Sequence, residues 1–200
     1  MPGPRDPEAV HVHAESVAQW REWLAEHHDA GIDGAWLVMW RPATGRPRVT
    51  YAEAIEEALC FGWIDSLSNP LDDERTRLWF TPRRPGSPWS RVNKERLARV
   101  EAQGRMTDAG RAVVERAKED GSFTYLDQVE DLVVPGDLAA ALAGRPGARD
   151  RWDAFSPSAR KLALRWILDA RRPATRQTRV EETARLAEQG VPARQQAPRP

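Results

Sequence analysis

The stretch from Tyr51 to Asn93 constrains the fold of this chain more than any other. An amphipathic helix over YAEAIEEALC runs into the strand Gly62–Leu67, which carries the residues GWID. A polar turn opens at Asn69-Pro70, and Arg75 to Thr81 alternates as a neighbouring strand. Arg83 and Arg84 leave that strand just before Ser87-Pro88, which reads as a helix cap followed by proline in the first turn. The order places an acid (Asp65), a basic pair, tryptophans and a helix N-terminus near one another.

The neighbouring segments extend this pattern. Val10 to His13 alternates as a short strand, and Ala14 to His28 has helical spacing through Val17, Trp20, Trp23 and Leu24. Ala35 to Trp40 is apolar on both faces, so it is expected to lie centrally and be covered on both sides. Thr50 and Glu53 form a capping box, and Gly62 stops that helix after Cys60. A helix is expected from Pro88 to Gln103, and Thr107 caps another over Asp108–Glu119. After Val134-Pro135 strand patterns cease. Short helices are predicted at Asp137–Ala143, Ala148–Phe155, Ser156–Ala170 and Pro173–Gln189, with Leu162, Ala163, Trp166, Ile167 and Ala170 as an apolar stripe.

The fold class is therefore α+β: a small, mostly antiparallel sheet wrapped by helices over residues 10–125, then a helical C-terminal module over 133–189. Residues 1–9 read as a flexible N-terminus and 190–200 as a disordered tail. Lys plus Arg equals Asp plus Glu at thirty each, which leaves no global attraction to nucleic acid or membrane. No eighteen-residue apolar run occurs, and the start lacks a basic-then-apolar leader pattern, so no membrane span and a cytoplasmic location are expected. The single cysteine excludes an internal disulfide.

The candidate site is Asp65, Arg83, Arg84, Trp89, Ser90 and Asn93. Guanidinium forks beside a helix N-terminus suit a phosphate or carboxylate. Asp65 would orient one arginine, Ser90 and Asn93 would add neutral hydrogen bonds, and Trp89 would wall an apolar portion. The bland alternative is an Asp65–arginine pair that only fixes two strands. Cys60, flanked by Leu59 and Phe61 at a helix C-terminus, reads as buried and inert. The histidines (His11, His13, His27, His28) have no adjoining ligand spacing, so neither metal nor cofactor is expected. Glu53 belongs to its cap, and Glu56 and Glu57 read as a solvated helix face. From Ser158 to Gly190 the chain is locally basic, but no aromatics interleave the arginines as in single-strand binders, which disfavours nucleic acid. No phosphate loop, dinucleotide fingerprint or nucleophile elbow occurs.

The blocks EALCFGWIDS, FTPRRPGSPWSRVN and GRMTDAG, with VPGDLAAAL and FSPSARKLALRWILDARRPATR further on, resemble the YdeI/OmpD-associated, or bacteriocin-protection, family from about Val10 to Ala187. The resemblance implies a fold similar to the YjbR/CyaY group and a bacterial role in stress or antimicrobial-peptide tolerance. It carries no catalytic residues. The expected function is non-enzymatic binding of a small anionic ligand or a protein partner. The alternatives are an enzyme using the Asp65/Arg83 pocket, or a nucleic-acid or protein adaptor acting through Arg165, Arg172, Arg176 and Arg179.

Overall fold

A computed structural model describes residues 8–194. The chain divides into two compact units, one ending at Thr124 and one beginning at Tyr125. In the first, β1 (Val10–His13), α1 (Val17–His27), β2 (Ala35–Trp40), α2 (Tyr51–Cys60), β3 (Trp63–Pro70), β4 (Arg75–Pro82), α3 (Arg91–Ala102) and α4 (Asp108–Glu119) follow in order. The sheet is four-stranded and mixed, in the order β1-β2-β4-β3. β1 runs parallel to β2, while β4 is antiparallel to both β2 and β3.

Local chemistry sets the helix starts. Thr50 Oγ1 accepts the Glu53 N–H at 3.3 Å, and Glu53 Oε2 accepts the Thr50 N–H at 2.8 Å. The Thr50 hydroxyl, which donates to the same carboxylate at 2.6 Å, and the Thr50 N–H hold the Glu53 carboxyl below its ordinary range. The same device at Ser16 and Gln19 starts α1 three residues later than the expected Ala14.

Every residue of β2 is buried, as the two-faced apolar run requires. Ala35, Leu37 and Met39 join the main core with Trp20 and Leu24 of α1, Ile55 and Leu59 of α2, and Leu97, Val100 and Val114 of α3 and α4. The other face is closed differently. Trp36 packs with Trp79 and Ala9, the Arg77 guanidinium lies 4.3 Å over Trp36, and the Arg46 guanidinium lies 4.2 Å over Trp40. Ala9, expected to be loose, is thus buried, while residues 1–7 lie outside the described residues.

The second unit is helical: α5 (Asp127–Glu130), α6 (Gly136–Ala143), α7 (Ala148–Ala154), α8 (Pro157–Leu168) and α9 (Pro173–Glu188). Leu138, Leu142, Trp152, Leu164, Ile167, Val180 and Ala184 form its core. The predicted stripe of α8 is rotated: Leu164 points inward, and Leu162 is 52% exposed. Of the expected loose tail, Ala193 is buried in this core and Val191 N–H donates to Leu186 O at 2.9 Å; residues 195–200 lie outside the described residues.

Arg176 grips Asp137 with two hydrogen bonds, at 2.7 and 3.1 Å, joining α9 to α6. The pair holds the Asp137 carboxyl below 3.8, its ordinary value. A depressed folded-state pKa means a contribution present above the unfolded value and lost as pH falls through the folded one. Both groups are part-exposed, so the effect stays below about 1 kcal/mol. Arg176→Gln should cost that much at pH 7 and less at pH 2, as Asp137 protonates, read as the difference between the two proteins' urea midpoints. An equal deficit at both pH values would mean the loss is packing, not charge.

Candidate functional site

The loop after β4 is positioned by a tight corner between α2, β3 and α4. The Cys60 carbonyl, at the end of α2, accepts both the hydroxyl (2.6 Å) and the N–H (3.2 Å) of Thr107, the N-cap of α4. Gly110, one turn on, sits so close that a Cβ there would stand 2.2 Å from the Cys60 oxygen. Gly62 turns the chain into β3 with φ +76, facing Val113 of α4. Close approach to the Cys60 backbone explains Gly110, and the positive φ, with the Val113 side chain alongside, explains Gly62. Cys60 itself is fully buried, and burial pushes its thiol up, with the Glu57 carboxylate adding to the effect.

Arg83 N–H donates to Gly62 O at 2.9 Å, which places the Arg83 side chain at this corner. Its residue is 8% exposed. Nη1 donates to Ser87 O at 3.1 Å, and the guanidinium lies 3.8 Å over the buried Trp89 ring. Both terminal nitrogens also reach Pro88 O, at 3.4 Å. Nε is buried with no hydrogen-bond partner. Among the described residues no carboxylate lies within 4.0 Å of Arg83. Burial pulls its pKa below the usual guanidinium range, to about 10, and Asp65 acts in the opposite sense from farther away.

Arg83 lines a recess together with Arg84, Gly86, Ser87 and Trp89 from its own loop, and Arg116, Asp120 and Ser122 from α4 and the turn after it. Its free space is about 10 Å³, room for one water-sized atom. Asp120 closes one side, accepting the N–H groups of Gly86 (2.9 Å) and Ser122 (2.8 Å). Hydrogen bonding from Ser122, side chain and then backbone, and from the Gly86 N–H holds its carboxyl below the ordinary range.

Of the six expected residues, Arg83, Arg84 and Trp89 meet at this recess, while Asp65, Ser90 and Asn93 do not line it. Asp65 does not orient Arg83; it accepts the Tyr51 hydroxyl at 2.9 Å. The register explains this. Asp65 lies opposite Phe80, whereas Arg83 lies beyond the strand end, opposite Gly62. Ser90, not Ser87, caps α3, its hydroxyl accepting Asn93 N–H at 3.4 Å. Ser87 and Pro88 stay out of the helix, because Arg83 takes their carbonyls and Trp89 N–H donates to Ser122 O at 3.3 Å. The Asn93 side chain accepts from Arg96 at 3.0 Å. Sequence reasoning missed Arg116, Asp120 and Ser122, which no local motif ties to Arg83.

Other candidates are absorbed by the fold. Glu57 is not on a solvated face; it is 2% exposed. Arg21 donates to it at 2.7 Å and Arg105 from the other side, while Arg105 and Arg99 also reach Glu56 at 3.3 and 3.2 Å. His27 and His28 bond the carbonyls of Trp23 (2.9 Å) and Leu24 (3.1 Å), and His11 pairs with Arg77 at 3.0 Å. Among the described residues no group of three His, Cys, Asp or Glu could hold a metal, and no helix is long and apolar enough to cross a membrane. In the second unit Arg165 and Arg176 are paired with Asp169 and Asp137, both at 2.7 Å, and Arg179 lies 5.2 Å over Trp166.

Two families match the chain: one described as a domain of unknown function, DUF8412, over residues 12–113, and one described as bacteriocin-protection, YdeI or OmpD-associated, over residues 131–190. The blocks EALCFGWIDS, FTPRRPGSPWSRVN and GRMTDAG thus lie in the first match, and the YdeI/OmpD-associated match is confined to the helical unit. No curated protein and no solved structure matches the chain.

Proposed function

We propose, for a chain that belongs to the YdeI/OmpD-associated bacteriocin-protection family through residues 131–190 and to the DUF8412 family through residues 12–113, a non-enzymatic binding role in the cytoplasm. Its N-terminal unit takes a small anion at Arg83, with Arg84 at the rim and Trp89 beneath. One observation carries this reading. Arg83 is a buried cation whose Nε has no partner, at the floor of a recess that also holds Arg84 and Arg116. A buried guanidinium lacking a carboxylate opposes folding at neutral pH. The sign follows from its pKa. A folded value of about 10, below the usual guanidinium range, means that stability from this group rises only as pH climbs above about 10. An anion seated against Arg83 offsets at physiological pH the cost that the Ser87 and Pro88 carbonyls, the Trp89 ring and the more distant Asp65 carboxylate offset only in part. The family's link to peptide tolerance would then run through a ligand or a partner protein.

Thermal melting in phosphate, sulfate and acetate tests this. A binding anion at one hundred times its Kd should stabilise the unit by about 2.7 kcal/mol. Arg83→Ala also removes the bonds that hold the loop, so the exposed double variant Arg84→Ala/Arg116→Ala serves as the folded comparison, and its shift should shrink severalfold. Wild-type melting that responds to none of the three anions overturns the reading. Sensitivity to antimicrobial peptides in a strain carrying only the double variant tests the physiological half.

A further inference from the structure

We propose that the recess selects a tetrahedral dianion, the phosphate of a monoester, over a carboxylate, and that Arg116 sets this selectivity. The inference rests on the anion reading above and names its ligand class. The recess gathers three guanidinium groups and one carboxylate, Arg83, Arg84 and Arg116 against Asp120. Their sum, three positive less one negative, leaves two positive charges, which a dianion neutralises and a monoanion does not.

Shape points the same way. The free space of about 10 Å³ admits a single oxygen at Arg83 and leaves the rest of the group outside, within reach of the exposed Arg84 and Arg116. Arg83 and Arg84 come from the loop after β4, and Arg116 comes from the last turn of α4. Donors on two separate elements suit a group with three acceptor oxygens, whereas a flat carboxylate is filled by one fork. Asp120 already holds the N–H groups of Gly86 and Ser122, so an incoming anion gains no backbone donors there and is held by the arginines alone.

The second proton of a phosphate monoester leaves near pH 6, which makes pH the discriminating variable. The charged groups facing the recess are Arg83, Arg84, Arg116 and Asp120; no histidine lines it. The experiment is equilibrium titration of the full chain with methyl phosphate, sulfate and acetate at pH 5 and pH 7.5. Methyl phosphate should bind about tenfold more tightly at pH 7.5, following its dianionic fraction. Sulfate, a dianion at both values, should not change, and acetate should be at least about tenfold weaker than methyl phosphate at pH 7.5. In Arg116→Gln, an exposed position, the preference for methyl phosphate over acetate should fall severalfold. If acetate equals methyl phosphate and pH has no effect, this selectivity is wrong while anion binding stands. If none of the three binds, both fail.

Discussion

Replacing Glu57 by glutamine should lower the unfolding free energy of the N-terminal unit by about 3 kcal/mol, the low end for breaking a buried ion pair. Glu57 is 2% exposed and sits between Arg21 of α1 and Arg105 of the α3–α4 turn. Arg21 also donates to the Arg105 carbonyl at 3.0 Å, so one carboxylate joins three segments. Glutamine keeps the shape but leaves two guanidinium groups facing a neutral amide. Both arginines are part-exposed and recover some hydration, which keeps the cost from rising further. Glu115→Gln, in an exposed pair with Lys118, is the control and should leave the midpoint close to that of the wild type. Urea midpoints at constant slope make the comparison, and a Glu57→Gln midpoint equal to wild type would sink it.

Gly110→Ala should be as damaging or worse. The added Cβ would stand 2.2 Å from the Cys60 oxygen and 2.8 Å from its carbonyl carbon, both backbone atoms at a helix end. Neither can rotate away, so α4 has to lift from α2 and strain the two Thr107 bonds to that carbonyl. Overpacking costs about 1–3 kcal/mol and sometimes more, and alanine's helix preference returns only about 1 kcal/mol. An approach of 2.2 Å to backbone lies above that range, at about 4 kcal/mol, so we expect a net loss of about 3 kcal/mol or failure to fold. Gly136→Ala, with open space around it in α6, should be neutral or mildly stabilising. A Gly110→Ala protein as stable as wild type would show that the corner yields, and the close-approach account of this glycine would fall.

Both predictions involve contacts that the sequence does not display, and this marks where its legibility ends. Thr50 with Glu53 and Thr107 with Gly110 are bonds three residues apart, and the helices they start lie where that spacing predicts. The run Ala35–Trp40 announces a strand buried on both faces because it is too short for a buried helix and is bounded by Gly34 and Pro42. Glu57 is different. Its partners lie 36 and 48 residues away, and beside Glu56 it looks like one more solvated acid. Ser87-Pro88 has the local form of a helix start, and a long arginine claiming its carbonyls overrides that form. The candidate site divides along the same line. Arg83, Arg84 and Trp89 are close in sequence and meet; the other wall of the recess comes from Arg116, Asp120 and Ser122, which only folding brings there. Asp65 was drawn to Arg83 by charge, and strand register sends it to Tyr51 instead.

The two hydrophobic cores share no residue among those described. The buried members of the first end at Ala117 and those of the second begin at Val129. On the ribosome this has a temporal meaning. Synthesis proceeds at about 5–20 residues per second and domains fold as units, so the complete apolar set of the sheet unit emerges before the first buried residue of the helical unit. The mixed sheet, with its parallel pairing of β1 and β2 across α1, is the slower structure to assemble. It also has the head start. The late, local helix contacts then form on a chain whose long-range pairings have had time to close.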